Sequence, residues 1–495
     1  MGIVFRQSIK GTIAIAAGAV LGALLNYGYT FALTKEQLGY TTIFPLQAGL
    51  FHILVIFGLS STILNFSNRY PDGDERRKIL LTLGAVVPLA GVAILSVPYY
   101  IYKAEILQFF KPQDRALAGT FYGIIPYFVF IWAYQTALEW YLVSQSKVTK
   151  ASLIKDVAIR ALNGVLLLLL YFHVIGFSEF IYGIVGSYTV SLLLFIVTAA
   201  RTPNFGYSFK WKVFSRAEYK EIFQYSWYHM LVSATLNMLG FVDVLLLVSL
   251  APRGLDPAAV YGRAVFIVAL MVIPYRAMSA ASIPTLNEAY HSGDTPRLKS
   301  IFTRSGINIL IAAIGMFLLI ACNLDNLVGI LPEGYESIKP VVLILMIGRL
   351  VDMATGLNTE LTSVSTYYKF NFRISFLLVA LLVLFCYLLI PQYDIYGAAW
   401  ASTIALALFN IAKMTFLWVK MDIVPFTRGT LGVLASGAVA FAPGYFLPQM
   451  LPPVGDTLLR SGIIALCYVA MLLWLRPSHD LNEYLKSIRS SKRLF

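Results

Sequence analysis

The sequence predicts an all-α integral membrane protein with about fourteen transmembrane helices. Of its 495 residues, 58% are hydrophobic and only 13% are charged, whereas about a quarter of the residues in a soluble domain are charged. Uncharged windows such as residues 11–34 and 374–393 recur along the chain, and windows of about twenty apolar residues cross roughly 30 Å of hydrocarbon. A water-soluble fold is therefore excluded.

The predicted transmembrane spans are separated by short loops. The first span follows Arg6 and Lys10 and has full length, which predicts a retained helix rather than a signal peptide. No loop exceeds about 25 residues, so none can fold as a catalytic domain. The spans, numbered 1 to 14, are residues 11–33, 41–66, 79–101, 118–144, 153–174, 179–200, 223–250, 259–287, 303–324, 338–365, 374–391, 395–418, 429–448 and 458–475.

The basic residues predict the orientation of the chain. With the N-terminus inside, the inner loops collect most of the lysines and arginines, including residues 76–78 and the tail 486–493. Because positively charged loops stay in the cytoplasm, both termini are predicted to be cytoplasmic. The outer segments then hold only about seven basic residues, namely Lys35, Lys103, Lys111, Arg115, Arg253, Lys339 and Arg460.

The net charge of +13 does not indicate nucleic-acid binding, because the basic residues are dispersed over short loops. The sequence has no Gly-rich phosphate loop, two-His zinc helix or nucleophile elbow, and its three cysteines lie far apart in apolar runs. We therefore predict no enzyme activity, no nucleic-acid partner, no metal and no cofactor. A coupling ion, Na⁺ or H⁺, is left open as an energy source.

An internal repeat predicts two lobes. A constant offset of 221 residues, the difference between positions 261 and 40, pairs Tyr40 with Tyr261, Ser61 with Ser282, Arg76 with Arg297 and Lys78 with Lys299. The predicted organisation is an N-terminal lobe (1–200), a cytoplasmic interfacial linker (201–222), a C-terminal lobe (223–420), spans 13 and 14 (421–476) and a cytoplasmic tail (477–495).

Polar residues in span 10 form one line when the span is drawn as a continuous helix. At about 100° per residue, Arg349, Asp352, Gly356, Glu360 and Ser363 share a face, which we call the span 10 stripe. A charge at mid-bilayer costs at least about 2.5–3.5 kcal/mol, so the stripe is expected to face protein or a watery cavity. One interpretation is a self-neutralising Arg349–Asp352 pair; the other is a cavity wall.

Span 5 repeats this pattern. Asp156, Arg160 and Asn163 lie on one face, and Glu139 and Gln135 lie on the inner half of span 4. Arg160 is expected to meet Glu139. Asp156 is either a member of this polar face or a solvated charge at the membrane surface.

Spans 7, 8 and 12 carry further polar residues. Span 7 contains Asn237 and Asp243, and span 8 contains Arg263 and Arg276. Asp243 is predicted to form a buried pair with Arg263 or to take part in ion coupling, while the two arginines either reach the interfaces or face the interior. Lys413 in span 12 is expected to extend to the interface.

Several local motifs stand out along the chain: Leu38-Gly39-Tyr40, Asn237 with Asp243, Tyr261-Gly262-Arg263-Ala264, Pro274, Ile283-Pro284 and Tyr396-Gly397-Ala398-Ala399-Trp400-Ala401-Ser402-Thr403. Together these motifs resemble those of the polysaccharide biosynthesis and O-antigen flippase family. That family belongs to the multidrug/oligosaccharidyl-lipid/polysaccharide (MOP) exporter superfamily, which also holds the MATE drug exporters and the lipid II flippases.

The resemblance implies a MATE-like fold of two six-helix lobes with two added helices. It implies a transporter of the bacterial cytoplasmic (inner) membrane that moves a polyprenyl-diphosphate-linked oligosaccharide to the outer leaflet by alternating access, for surface polysaccharide such as lipopolysaccharide. Membrane lipids, a glycan polymerase and other export components are then candidate partners. A membrane glycan polymerase itself is disfavoured, since the outer loops are too short to carry acid–base residues.

An anionic diphosphate in a low-dielectric site needs arginine partners, because guanidinium forks match phosphate oxygens. We therefore predict Arg160 and Arg349, one from each lobe, as phosphate-binding residues. The alternative is an ion-coupled multidrug or small-solute exporter of the MATE type, for which acidic residues are essential. The full predicted substrate site is Arg160, Arg349, Arg263, Arg276, Glu139, Asp352, Glu360 and Asn163, with Asp243, Asn237 and Asp156 for coupling or lobe pairing.

Overall fold

The computed structural model describes the backbone of residues 2–67, 69–203, 205–480 and 483. Side chains are described over the same ranges except residues 2–16, 236, 237, 239, 277, 280, 281, 284, 368, 369 and 372. Within these ranges the chain is almost entirely helical and contains no β-strand. The helices are α1 (Gly2–Ala32), α2 (Lys35–Ile56), α3 (Leu59–Ser67), α4 (Glu75–Ile101), α5 (Lys103–Gln108), α6 (Arg115–Thr120), α7 (Ile125–Ser144), α8 (Val148–Ser152), α9 (Ile159–Tyr171), α10 (Phe177–Ala200), α11 (Arg216–Leu250), α12 (Leu255–Ala269), α13 (Val272–His291), α14 (Thr295–Ala321), α15 (Leu324–Gly329), α16 (Ile338–Ala354), α17 (Asn358–Val364), α18 (Tyr368–Met421), α19 (Arg428–Phe446) and α20 (Pro453–Leu475).

Each predicted span overlaps one or more of these helices, and the predicted all-α membrane fold is confirmed. Among the described residues, seven helices are long and apolar enough to cross a membrane, or up to nine if each of two bent helix pairs is one span. Spans 11 and 12 both lie in α18, on either side of Asp394, whose backbone (φ 52°, ψ −128°) interrupts the helix. Spans 2, 8 and 10 are each divided into two shorter helices.

Two of these divisions occur at a glycine with positive φ. Gly58, between α2 and α3, has a φ of 69°, and a Cβ atom there would stand 2.1 Å from the carbonyl oxygen of Ser226. Gly356, between α16 and α17, has a φ of 65°, and the two helices are bent by 46°. Glycine adopts this conformation without steric cost. Hydropathy does not detect such breaks, because it reports side-chain polarity and not backbone angles.

The chain forms two compact units, residues 1–259 (unit 1) and 260–495 (unit 2). In unit 1, α7 packs against α2, α3, α4 and α10, and α11 packs against α2 and α3. The unit boundary therefore lies further along the chain than residue 223, where the C-terminal lobe was expected to begin. In unit 2, α14 packs against α13, α16 and α19, and α16 packs against α18.

The last two helices, α19 and α20, belong to unit 2, where apolar contacts and hydrogen bonds of a charged side chain hold them in place. Val433 of α19 and Ile464 of α20 share a core with Ile314 of α14. Near the start of α20, the guanidinium of Arg460 donates to Asp456 Oδ2 at 2.9 and 3.0 Å and to the carbonyl of Gly444 at 2.6 Å. Breaking a buried pair of this kind leaves one charge uncompensated, so this cluster fixes α20 against α19.

The segment predicted as an interfacial linker has exposed aromatic residues. Phe209 and Trp211 are both exposed, and α11 begins after them at Arg216, earlier than the predicted start of span 7. Ser215 accepts from the backbone N–H of Glu218, and Glu218 accepts from that of Ser215, which forms a capping box. This box explains why the helix begins there rather than at the apolar boundary that hydropathy detects.

Asp114, in the loop before α6, is buried and contacts the start of α12. The backbone N–H of Leu255 donates to Asp114 Oδ2 at 3.1 Å. Burial raises the pKa of this carboxyl to about 6; the bond from Leu255 opposes the increase, and the charges of Glu36 and Asp256 add to it. A Cβ atom at Gly254 (φ 62°) would lie 1.9 Å from Asp114 Oδ2, so this contact requires glycine.

The raised pKa of Asp114 predicts a pH-dependent stability. Ionised Asp114 is disfavoured in the folded state, so the free energy of unfolding should rise as the pH falls from about 7 through 6 towards the unfolded pKa near 3.9. In Asp114→Asn this contribution is absent, and the gain in Tm between pH values of about 7.5 and 5 should be smaller than in the wild type. Asp325→Asn, at an exposed pair with Lys339, is the control and should keep the wild-type gain. An unchanged gain in Asp114→Asn would contradict the assignment.

Candidate functional site

Unit 1 contains a polar cavity of about 300 Å³. This volume is at the lower end of the range for small-molecule sites, about 300–1,000 Å³. The wall combines charged, amide, hydroxyl and aromatic side chains from α1, α7, α9, α10 and the segment before α9, which is an unusual composition for the interior of a membrane protein. The lining residues are Gly22, Leu25, Asn26, Tyr29, Trp132, Gln135, Thr136, Glu139, Lys155, Asp156, Ile159, Arg160, Asn163, Tyr188 and Phe195.

A π-helical segment, Leu153–Ala158, supplies part of the charged wall. Its i→i+5 hydrogen bonds widen the turn, and such segments are rare in proteins and frequently lie at functional sites. Lys155 and Asp156 lie on this segment, and Arg160 follows at the start of α9. Asp156, Arg160 and Asn163 were predicted to share one helix face that did not include Lys155. Because the π-helical turn departs from regular α-helical spacing, Lys155 also lines the cavity.

The charged residues of the cavity form two ion pairs. Lys155 Nζ lies 2.8 Å from Glu139 Oε1. Arg160 Nη1 lies 3.8 Å from Asp156 Oδ1 and donates to the Asp156 carbonyl at 3.1 Å. The expected contact between Arg160 and Glu139 is therefore wrong, because the ammonium of Lys155 occupies the position beside Glu139.

Two glycines of α1 make room for Arg160. A Cβ atom at Gly18 would stand 2.4 Å from Arg160 Nη1 and 2.6 Å from the carbonyl oxygen of Asp156. At Gly22 the corresponding distance is 3.3 Å to Arg160 Nε. The guanidinium therefore lies along the backbone of α1, a close approach that only glycine permits.

Neutral polar and aromatic groups complete the cavity. Ser187 Oγ donates to Asn163 Oδ1 at 2.8 Å, and Gln135 Nε2 donates to the Tyr188 carbonyl at 2.5 Å. The Trp132 ring stacks on His52 with centroids 4.9 Å apart. Flat aromatic faces beside amide groups are a suitable surface for polyhydroxylated ligands, whose apolar ring faces and hydroxyl groups need both kinds of partner.

In unit 2 the span 10 stripe does not lie along one helix. Arg349 and Asp352 are paired at 3.5 Å near the end of α16, and the Arg349 side chain is 41% exposed. Glu360 lies beyond the break, in α17, where it accepts from Tyr275 Oη at 2.8 Å and from Ser279 Oγ at 2.6 Å. The single straight stripe is therefore wrong, since the positive φ of Gly356 redirects the chain between Asp352 and Glu360.

Lys413 in α18 is fully buried, with 0% exposure. Its ammonium donates to Thr359 Oγ1 at 2.7 Å and lies 4.5 Å from the centroid of the Phe409 ring. The expectation that it extends to the interface is wrong. A position near the end of a span predicted interfacial exposure, and nothing in the sequence indicated that the start of α17 would lie against Lys413.

The remaining predicted site residues lie in α11, α12 and α13. Asp243 in unit 1 and Arg263 in unit 2 are both buried, and Arg276 is exposed. Asp243 Oδ1 accepts from the backbone N–H of Val244 at 2.8 Å. The side chain of Asn237 lies outside the described residues. The roles given to these four residues stay predictions.

Comparisons of the sequence with protein-family models and with curated proteins find no match. Solved structures with a similar fold include the lipid II flippase MurJ in an inward closed conformation, with a TM-score of 0.75, 12% identity, and coverage of 94% of this chain and 99% of that one. An inward-facing multidrug resistance MATE transporter of the MOP superfamily has a TM-score of 0.63, 17% identity and coverage of 83% and 98%. A MOP superfamily transporter from Pyrococcus furiosus, described as having a reversed binding-pocket polarity, has a TM-score of 0.57, 16% identity and coverage of 86% and 96%. The chain thus has the same fold as these solved transporters.

The approach of Arg160 to α1 gives a testable prediction. Gly18→Ala places a methyl group against both the guanidinium and the Asp156 backbone, so α1 or the π-helical segment has to shift, and overpacking of this kind costs about 1–3 kcal/mol. Gly164→Ala, whose Cβ would have its nearest neighbour at 3.7 Å, is the matched control. We expect a lower Tm of the purified protein for Gly18→Ala and an unchanged or higher Tm for Gly164→Ala. Equal Tm values for Gly18→Ala and Gly164→Ala would show that the backbone of α1 is not in close contact with Arg160.

Proposed function

We propose that this protein is a transporter that flips a lipid-linked, polyprenyl-diphosphate oligosaccharide across the cytoplasmic membrane by alternating access. The observation that carries the proposal is the cavity of unit 1, in which Lys155 and Arg160 stand beside amide and aromatic groups. The shared fold with a lipid II flippase and with MATE transporters supports a transport function.

Lys155 and Arg160 are suited to the diphosphate group. Within the cavity their charges are balanced by Glu139 and Asp156. Phosphate oxygens would replace these carboxylates as partners, because charge-assisted bonds to phosphate are strong and a guanidinium can bind two oxygens at once. Since the carboxylates remain nearby, they would oppose tight binding and favour release, which a transport cycle requires.

The sugar and lipid parts of the substrate need different surroundings. Asn163, Gln135 and Trp132 offer donors, acceptors and a ring face to the sugar. The outer faces of the helices are apolar, with exposed residues such as Ile94 and Leu466, so the polyprenyl chain would remain in lipid. Arg349, half exposed beside Asp352, and the arginines of α12 and α13 are proposed as the anion-binding residues of unit 2.

Removal of the Arg160 guanidinium tests this proposal. Arg160→Ala should lower the rate at which a labelled polyprenyl-diphosphate sugar appears in the opposite leaflet of proteoliposomes by roughly 10–100-fold, since a hydrogen bond to a charged group contributes about 1.5–3 kcal/mol. Arg160→Lys should restore part of the rate because it keeps the charge. Lys150→Ala, at an exposed basic residue of α8, is the control. Normal flipping by folded Arg160→Ala would rule out this phosphate site.

An ion-coupled multidrug or small-solute exporter is the second candidate. It is supported by the fold shared with multidrug resistance MATE transporters and by the carboxylates of Asp243, Asp352 and Glu360, which lie within helices of the predicted spans. Such an exporter recognises cationic or neutral solutes and has no need of an arginine-bearing cavity.

The two candidates differ in which charge is essential. For the flippase we expect Arg349→Ala to reduce transport of the lipid-linked sugar by at least about tenfold, as expected for loss of a charged contact, and Asp243→Asn to have a smaller effect. For the exporter the order is reversed, with a cationic dye as the substrate. Transport of both substrates should be measured in vesicles containing the wild type, Arg349→Ala and Asp243→Asn at matched protein content.

A further inference from the structure

His52, on α2, contacts two residues that line the cavity of unit 1. Its imidazole stacks on the Trp132 indole, with ring centroids 4.9 Å apart and an interplanar angle of 22°. Its Nε2 atom lies 3.0 Å from Thr136 Oγ1. Trp132 and Thr136 both form part of the cavity wall, and the imidazole lies behind them. One side chain of α2 therefore supports two neighbouring positions of the wall.

The hydrogen bonds of Thr136 determine which atom of His52 carries a proton. The Thr136 hydroxyl donates its single hydrogen to the Trp132 carbonyl at 2.9 Å. Thr136 Oγ1 is therefore the acceptor in its bond with His52, and Nε2 of the imidazole is the donor. Because a hydroxyl oxygen has two lone pairs, Thr136 can accept one further hydrogen bond from a ligand. Such an acceptor suits a hydroxyl group of a sugar and does not suit an ionised phosphate oxygen.

The two supported residues form one continuous part of the wall. Trp132 and Thr136 are four residues apart on α7, so their side chains lie one turn apart on the same face of the helix. The rings of Phe128 and Tyr188 also lie near the indole, at centroid distances of 5.7 and 6.1 Å, and both are tilted against it. Of these three rings the imidazole of His52 is the nearest, and it alone stacks on the indole.

We propose that His52 is a positioning residue, which holds the Trp132 indole and the Thr136 hydroxyl in the orientation that binds the sugar part of the substrate. The imidazole combines a flat ring for stacking with an N–H donor. Trp132 and Thr136 then present a ring surface and an acceptor side by side, and a sugar has apolar ring faces and hydroxyl donors that match them. This inference rests on the proposed function and concerns the sugar alone, since the charges for the diphosphate belong to Lys155 and Arg160.

Two substitutions of His52 separate its two contacts. His52→Phe keeps a flat ring and loses the N–H donor, whereas His52→Gln keeps a donor and loses the ring. In proteoliposomes each variant should flip a labelled polyprenyl-diphosphate sugar with a KM about 3–10-fold above that of the wild type, as expected for loss of one neutral hydrogen bond or one ring contact, and with an unchanged kcat. A structural role alone would lower Tm and the active fraction and leave the KM unchanged.

Polyprenyl diphosphate without a sugar is the discriminating substrate. It has the same charged group, but it has no hydroxyl for Thr136 and no ring face for Trp132. His52→Phe should therefore flip it with the wild-type KM, whereas Arg160→Ala should be impaired with both substrates. An equal increase in KM for the two substrates in His52→Phe would overturn the proposal.

Two further measurements test whether His52 acts through its neighbours. Thr136→Val removes the hydroxyl at nearly equal size, and adding His52→Phe to it should not raise the KM further, since residues that act as a pair are not additive. The emission of Trp132, taken as the difference between each protein and its Trp132→Phe derivative, should be quenched more strongly by acrylamide in His52→Gln than in the wild type or His52→Phe. Additive KM effects, or equal quenching in all three proteins, would contradict the proposal. If His52→Phe does not fold, Thr136→Val removes the same hydrogen bond and supplies the same test.

The outcomes distinguish this inference from the proposed function. If the wild type flips the sugar-bearing lipid and folded His52→Phe has the wild-type KM, only the role of His52 is wrong. If the wild type flips neither lipid, the proposed function is wrong, the assignment of this wall to a sugar falls with it, and the quenching of Trp132 still shows whether His52 holds the indole. His229→Gln is the control, at a histidine of α11 whose ring lies 4.3 Å from that of Tyr225, and it should keep the wild-type KM for both lipids.

Discussion

Charged groups within the membrane-spanning part of this protein need charged or polar partners, and this requirement determines how both units are built. Water cannot solvate these groups, and an unpaired charge in the span costs several kcal/mol. In unit 1 Lys155 pairs with Glu139 and Arg160 with Asp156. In unit 2 Arg349 pairs with Asp352, and the buried Lys413 ammonium donates to Thr359 Oγ1. Because the two members of each pair must stay in contact, the pairs determine which faces of the helices point into the protein interior.

The two units use this pairing differently. The unit 1 pairs line an open cavity and are partly exposed, so another anion can compete for the cations. In unit 2 the fully buried Lys413 ammonium donates to Thr359 Oγ1, which donates to Asn358 in the network with Asn410. The cations of unit 1 are therefore accessible from a cavity, whereas the Lys413 ammonium is enclosed by protein.

The sequence predicted the helices well and the contacts between them less well. Each span predicted from hydropathy overlaps a helix, because apolar length is a property of local sequence. The polar residues of spans 4 and 5 were correctly grouped, since Glu139, Asp156, Arg160 and Asn163 all line one cavity. The Arg160–Glu139 contact and the exposure of Lys413 were wrongly predicted, because the first depends on a π-helical segment and the second on a helix break at Gly356. Both features are set by backbone geometry, which the order of polar and apolar residues does not report.

The π-helical segment Leu153–Ala158 has a consequence for sequence change. A π-helical turn holds one residue more than the α-helical turn it replaces, so it is geometrically equivalent to a single inserted residue. Deleting one residue there would allow α8 and α9 to join as a regular α-helix with their outer faces kept in register. The same deletion would rotate Lys155 relative to Arg160, and the charge of Lys155 would then be lost from the cavity. A chain one residue shorter at this point would therefore keep its fold and lose the present arrangement of its cavity. At this segment, closely related sequences can differ in the ligand that they bind without differing in fold.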